Sequence, residues 1–499
     1  MKEIIEKIKK FGIVETIAFV IYIVLVLVIA TNHEYYEDET QSWLIARDLN
    51  FVQIINQMKY EGHSFLWYFI LAPFAKLGIS VEFQNYISCF FAIGTVYLIL
   101  KKSPFNKFTK VLLTFSGGMI YFYSVIARPY CMIPFLLACI AVVYKNKKEH
   151  QYIYAILIAL LANTHLIMLP TATLLLISFW GEELILKRKE QTQETKKKLY
   201  KSLFIALTGI VIYLVIVLVT FFNCAIIENF DKSSAIKDGK RMFNLIKNTC
   251  LGTINYLYGN TNTPLYYKIL VAIALVLCLI GSKRSIKQAL IFWSQLIFTI
   301  LVHAFAWFIL PTRVFIVIYT LMFWLWVYKD DEQYKKKPKR NWFVELALII
   351  IILISMPSAY KIAIQDIQEN FSTGRMTARY IEKNIPEGSC FIYSEQELQQ
   401  SILAYLDKDK YKVYMPNIKE FVTFTTWDQR WNQMIKLTDV TDAINDLKEE
   451  YENLYIISGN QMMMNINEEN SLELLFNTNG KLMDNFYVRQ EIFYIYKVN

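Results

Sequence analysis

Charge is scarce in this chain. Acidic and basic residues make up 19% of its 499 positions, while 55% are hydrophobic; soluble domains usually carry about a quarter charged residues. The seven cysteines (Cys89, Cys131, Cys139, Cys224, Cys250, Cys278 and Cys390) are scattered, mostly inside apolar stretches. They show no CxxC pair and no metal-ligand spacing, so a disulfide framework and a cysteine metal site are excluded. They read as small hydrophobes, with a Cys224–Cys250 bridge the one pairing left open. The sequence has no internal repeat and no low-complexity tract, and the middles of its apolar stretches lack Asp and Glu.

What is abundant is apolar sequence in blocks. They fall at about 13–30, 64–79, 83–100, 111–127, 129–144, 152–182, 201–223, 265–281, 288–310, 312–328 and 342–358. Most have the length needed to cross the hydrocarbon core as a helix. The net charge of +9 does not point to nucleic acid, because the basic runs lie between apolar blocks. These runs are Lys2 with Lys7, Lys9 and Lys10; Lys101-Lys102 with Lys107 and Lys110; and Lys145 with Lys147-Lys148. Further on come Lys187-Arg188-Lys189 with Lys196–Lys198, Lys283-Arg284 with Lys287, and Lys335–Lys337 with Lys339-Arg340. The positive-inside rule puts all of them in the cytoplasm. That assignment splits 152–182 into two short helices with an outer tip at Asn163-Thr164-His165. It makes Ala127-Arg128-Pro129-Tyr130 and Pro311-Thr312-Arg313 outer tips as well, and 224–264 an outer segment. It also needs an odd number of crossings between His63 and Lys101, so one block, the short 64–79, does not span fully. About eleven transmembrane helices result, with the N-terminus cytoplasmic and the C-terminus outside.

The outer loop at 32–63 holds Glu34, Glu37, Asp38, Glu39, Asp48 and Glu61, with His33 and His63 near its edges. Residues 39–58 are predicted to form one interfacial helix with a stripe of Trp43, Ala46, Leu49, Val52 and Ile55. Asp38 with Gln41 suits the N-cap of that helix, and a carboxylate at a water-accessible helix start also suits a general base. Arg128 and Arg313 each fit a snorkelling residue or a phosphate ligand. Tyr35, Tyr36, Trp43, Trp67, Tyr68, Tyr121 and Tyr123 are expected to form an interfacial aromatic belt.

Two domains follow: a transmembrane domain at 1–358 and an extracytoplasmic α/β domain at 361–499. In the latter, helical patterns at Thr373–Lys383, Glu395–Leu406 and Thr438–Glu450 alternate with strand patterns at Cys390–Tyr393, Lys412–Tyr414, Leu454–Ile457 and Phe486–Tyr496. It carries neither a GxGxxG nor a P-loop.

An N-terminal span, then a loop with Asp38-Glu39 and Trp43-Leu44-Ile45-Ala46-Arg47, closing on Glu61-Gly62-His63-Ser64-Phe65-Leu66-Trp67-Tyr68, resembles the GT-C superfamily of membrane glycosyltransferases. The likeness is to the bacterial branch related to protein O-mannosyltransferases and aminoarabinose transferases, and covers roughly residues 10–330. It implies a GT-C-type fold in a bacterial plasma membrane. It further implies transfer of a sugar from a polyprenyl-phosphate donor on the outer face, with inversion and no cofactor. In that branch the acid opening the Asp-Glu pair is catalytic, which falls on Asp38, with Glu39 the second acid. His63 matches the histidine closing the loop, although relatives often have His-Pro-Pro where this chain has His-Ser-Phe. Arg128 and Tyr130, together with His165, stand where the branch has short polar motifs at outer helix ends, and Arg313 resembles its arginine for the lipid phosphate. These five are the expected substrate-binding residues. No metal site is expected, there being no Asp-x-Asp in the outer loops, although divalent-metal dependence stays open. The expected partners are the lipid-linked sugar, membrane lipids and an acceptor that is a protein, a lipid or an envelope glycan.

The competing class is a polyprenyl-lipid or polysaccharide transporter. Such proteins place ionisable residues deep in their spans and show repeated halves. The polar groups here gather at one surface instead.

Overall fold

The computed structural model describes residues 12–224, 239–306, 309–330, 342–395, 399–432, 434–462, 471–483 and 490–499. Outside them lie the basic residues Lys2, Lys7, Lys9 and Lys10, the Lys335–Arg340 run, most of the first half of the strand expected at Phe486–Tyr496, and part of the helix expected at Glu395–Leu406. The described residues fall into two compact units, one within 1–30, 85–217 and 230–363, the other within 31–84, 218–229 and 364–499.

The protein is a multi-pass membrane protein. Among the described residues eight helices are long and apolar enough to cross a membrane: Ile13–Asn32, Phe83–Lys102, Leu166–Leu186, Gln193–Asn223, Leu265–Ser282, Ile286–Phe305, Pro311–Asp330 and Trp342–Gln368. Leu66–Lys76, Pro129–Tyr144 and Gln151–Ala162 are shorter apolar helices. Leu66–Lys76 has 11 residues, about 16 Å at 1.5 Å per residue, roughly half a hydrocarbon core.

In the first unit Pro311–Asp330 is central, with 89% of its apolar window buried, against 28% for Gln193–Asn223 and for Leu265–Ser282. Tyr319, Phe323, Trp324 and Trp326 are buried along it, and Trp324 Nε1 donates to Ser285 Oγ at 2.7 Å. The outlying helices leave Phe204, Leu207, Val276 and Leu279 exposed, which costs nothing when the solvent is lipid. One buried ion pair ties this unit together. Lys329 Nζ meets Glu345 Oε1 at 3.0 Å, and the same oxygen accepts from Asn106 Nδ2. The expected hairpin of Gln151–Ala162 with the helix opening at Leu166 is present, its α-helical turns giving way to π-helical ones after Leu176. The segment 224–264 holds a helix, Gly239–Tyr258, that the sequence pattern had not revealed.

In the second unit a six-stranded sheet has the order β3-β2-β1-β4-β6-β5. The strands are β1 Cys390–Tyr393, β2 Lys412–Met415, β3 Glu420–Phe421, β4 Leu454–Ser458, β5 Leu472–Asn477 and β6 Tyr494–Val498. The three central strands run parallel, with Cys390 opposite Lys412 and Leu454, and the outer pairs are antiparallel. Alternation along β1 sends Cys390 and Ile392 to one face and Phe391 and Tyr393 to the other. The first face is covered by Val440, Ala443, Ile444 and Leu447 of the helix Leu437–Leu447. The second packs against Ala378 and Ile381, Ile402 and Leu403, and Leu44 from the first loop.

Four expectations are corrected. The helix at 39–58 is two helices, Glu37–Asp48 and Phe51–Glu61. The break is set by Asn50, whose side chain accepts from the Val52 and Gln53 amides while Gln53 Oε1 accepts from the Asn50 amide, a reciprocal cap. The single stripe is therefore divided: Trp43 and Ala46 are buried, Val52 and Ile55 exposed. The N-cap of the first helix is Tyr36, not Asp38, and its capping partner is Glu39, not Gln41. The supposed aromatic belt is mostly interior, since Tyr35, Trp43, Trp67, Tyr68, Tyr121 and Tyr123 are all buried inside the protein. Finally, Cys224 and Cys250 are not disulfide-bonded to each other, and none of the seven cysteines is in a disulfide.

Candidate active site

The expected site residues lie in both compact units. Arg128, Tyr130, His165 and Arg313 belong to the first, and Asp38, Glu39 and His63 to the second.

In the first unit Arg128 precedes Pro129, which holds it extended at φ −129°, ψ 159°. Pro129 then opens the helical turn that carries Tyr130. Asn163 and Thr164 end the preceding helix and are spent on the backbone. Asn163 Nδ2 donates to the Ala159 and Gly209 carbonyls at 2.8 Å, and Thr164 Oγ1 to the Leu161 carbonyl. His165 is different. Its Nδ1 accepts from the Ile167 amide at 3.2 Å, which assigns the ring proton to Nε2. Nε2 then donates to Tyr130 Oη at 3.1 Å. The same hydroxyl oxygen accepts from Arg313 Nε at 2.8 Å. The turn bearing Arg313 is pinned by Tyr123 Oη, which donates to the Thr312 carbonyl at 2.6 Å. Both arginines are buried, at 5% and 7% exposure. The result is a guanidinium, a phenol and an imidazole in one hydrogen-bonded row among apolar helices. In such low-dielectric surroundings a cation attracts an anion far more strongly than in water.

In the second unit the loop carboxylates are mostly engaged. Glu34 Oε1 accepts from both Nε and Nη2 of Arg375. Asp48 pairs with Arg47 and Lys408. Glu61 accepts from Gln41, Gln57 and Tyr68. Glu39, expected as the second acid, is fully buried, and its Oε2 faces His33 Nε2 at 3.0 Å and the Tyr36 amide at 3.4 Å. The other His33 nitrogen meets Asp366 Oδ2 at 2.7 Å. Burial alone would depress the His33 pKa, but Asp366 and Glu39 outweigh it and hold the imidazole up at about 10. Two acceptors require two donors, so His33 is an imidazolium.

Asp38 is half-buried in the first turn of Glu37–Asp48. The helix start is gripped a second time, by Glu491 Oε1, which accepts the Glu37 amide at 2.7 Å. Burial pushes the Glu491 carboxyl up to about 8, against hydrogen bonds from Ser372 and the Glu37 amide. His63 is half-buried and follows Gly62, whose φ of +69° ends Phe51–Glu61 in the left-handed region. Asp366 was not among the expected residues. Its only sequence signal is an acid in the last turns of a largely apolar helix, and nothing in that pattern names His33 as its partner. Among the described residues no group of three or more His, Cys, Asp or Glu is arranged as a metal site.

No protein-family model and no curated protein sequence matches the chain. Two solved structures share its fold. ArnT from Cupriavidus metallidurans in the apo state aligns with a TM-score of 0.51 at 10% identity, and the same protein bound to undecaprenyl phosphate with 0.50 at 11%. Each alignment covers 97% of both chains. The likeness is one of fold, and it extends through the C-terminal sheet. The multi-helix membrane architecture with a C-terminal α/β region expected from the sequence is therefore a fold the chain shares with ArnT.

Proposed function

We propose that this protein transfers a sugar from a polyprenyl-phosphate donor to an acceptor on the outer face of a bacterial plasma membrane, inverting the anomeric centre. The observation that carries the proposal is the buried Arg313–Tyr130–His165 row. It sets the Arg313 guanidinium beside a phenol and an imidazole in a buried site, and a guanidinium suits the oxygens of a phosphate. The ArnT fold supports the same substrate class, since one of the two similar structures is bound to undecaprenyl phosphate. Asp38 is assigned as the base. It takes the proton from the acceptor nucleophile as the new bond to the anomeric carbon forms and the bond to the phosphate oxygen breaks. Arg313 and Arg128 neutralise the departing polyprenyl phosphate, with Tyr130 and His165 holding Arg313 in place and His63 assigned to the donor. Glu39 is given a positioning role, because its carboxylate holds His33 and the Tyr36 amide. No cofactor enters the scheme.

The test is transfer of label from a radiolabelled polyprenyl-phosphate sugar pool in membranes, comparing the native protein with Asp38→Asn. Label reaching a new covalent product only with the native protein supports both the class and the base. Undiminished transfer by Asp38→Asn would sink the base assignment. Label crossing the membrane with no new product would make the protein a transporter.

A further inference from the structure

The helix Ile286–Phe305 carries a polar row that ends in a histidine. Gln295 Nε2 donates to the Ile167 carbonyl at 2.7 Å and its Oε1 accepts from Thr171. Thr299 Oγ1 accepts from Gln295 Nε2, and His303 lies one turn further along. The spacing i, i+4, i+8 keeps the three on one side of the helix. The row thus starts against the segment that follows His165 and runs towards the turn bearing Arg313.

His303 is 4% exposed. Among the described residues, neither of its ring nitrogens has a hydrogen-bond partner, and the charge of Arg313 acts on it. A buried imidazole with both nitrogens unmet is costly, more so in a membrane span. Such groups in folded proteins usually mark a missing partner. The cation nearby narrows the class of that partner, because a guanidinium and an N–H donor together suit a phosphate oxyanion.

We propose that His303 is a further ligand of the phosphate headgroup bound by the Arg313–Tyr130–His165 row, donating a ring N–H to a phosphate oxygen. This rests on the polyprenyl-phosphate reading above. Either ring tautomer offers one donor, so the role needs no change of charge. A lipid phosphate and free inorganic phosphate share this chemistry, and the two are separated experimentally.

The experiment titrates undecaprenyl phosphate into the purified full-length protein in detergent, reading intrinsic fluorescence. The variants are His303→Leu, His303→Asn and Arg313→Gln, and undecaprenol and inorganic phosphate are the control ligands. His303→Leu should weaken undecaprenyl-phosphate binding about tenfold, the size of one hydrogen bond to a charged group. His303→Asn keeps a donor and should recover most of the loss, while undecaprenol should not distinguish the variants. Native-like binding by His303→Leu, with Arg313→Gln impaired, would overturn the role of His303 and leave the proposed function standing. No binding by the native protein would overturn both. Equal affinity for inorganic phosphate would overturn the lipid assignment. Should His303→Leu fail to fold, His303→Asn decides, with a loss as large as that of Arg313→Gln counting against a donor role.

Discussion

His33 Nδ1 and Asp366 Oδ2 lie 2.7 Å apart, across 333 residues of sequence, with both side chains fully buried. Through the other ring nitrogen His33 reaches Glu39, the neighbour of Asp38. An imidazolium between two carboxylates therefore links the chain entering the α/β region to the helix that carries the assigned base.

Asp366→Asn would leave the imidazolium with one carboxylate in a dry site. Removing one partner of a buried ion pair costs on the order of 3–5 kcal/mol. The expected result is a lower thermal midpoint and faster proteolysis within 31–84 and 364–499. A His33→Leu/Asp366→Leu/Glu39→Gln triple variant should be less damaged than Asp366→Asn, since no charge is then left stranded. A triple variant as destabilised as Asp366→Asn, or more so, would refute the role given to this ion-pair set.

Stability should fall with rising pH. The His33 pKa is raised from 6.5 to about 10, so the folded state holds a proton that the unfolded chain has lost. Its contribution is complete below 6.5 and disappears as pH rises through about 10. The Glu491 carboxyl, raised from 4.5 to about 8, acts with the same sign between those two values, because the folded state again binds the extra proton. Thermal midpoints at pH 6, 8 and 9.5 should fall in that order, and Glu491→Gln should flatten the first interval. A midpoint that rises across this range would contradict both assignments.

Tyr130→Phe removes the oxygen that accepts from both Arg313 and His165. Donor binding should weaken about tenfold, the scale of a hydrogen bond to a charged group, while far-ultraviolet dichroism stays unchanged. The loss should appear in KM for the lipid-linked donor. A change confined to thermal stability would make Tyr130 a packing residue only.

Several of these features were legible in advance, for local reasons. Strand β1 matched residue for residue because a short apolar run bounded by Gly388 and Ser394 is decided by its own pattern. The hairpin tip at Asn163-Thr164-His165 was legible because polar residues inside an apolar block must end a helix or find partners. Strand β5 was missed because a bulge between Leu474 and Phe476 breaks the alternation that would have announced it. The break at Asn50 was signalled by Asn50 and Gln53, but the apolar stripe running across it looked continuous.

The sequence by itself determined the membrane blocks, the α/β character of the C-terminal region and the clustering of carboxylates at 32–63. Hydropathy and alternation are properties of neighbouring residues and need no tertiary contact. Which carboxylates are engaged was decided only in three dimensions. Glu34 meets Arg375, Glu39 meets His33, and His33 meets Asp366, and two of those pairings join residues more than three hundred positions apart. The facing carboxylates then set the protonation of His33, and burial that of Glu491. Desolvation and facing charges depend on what the fold brings alongside a group, and no local pattern encodes that.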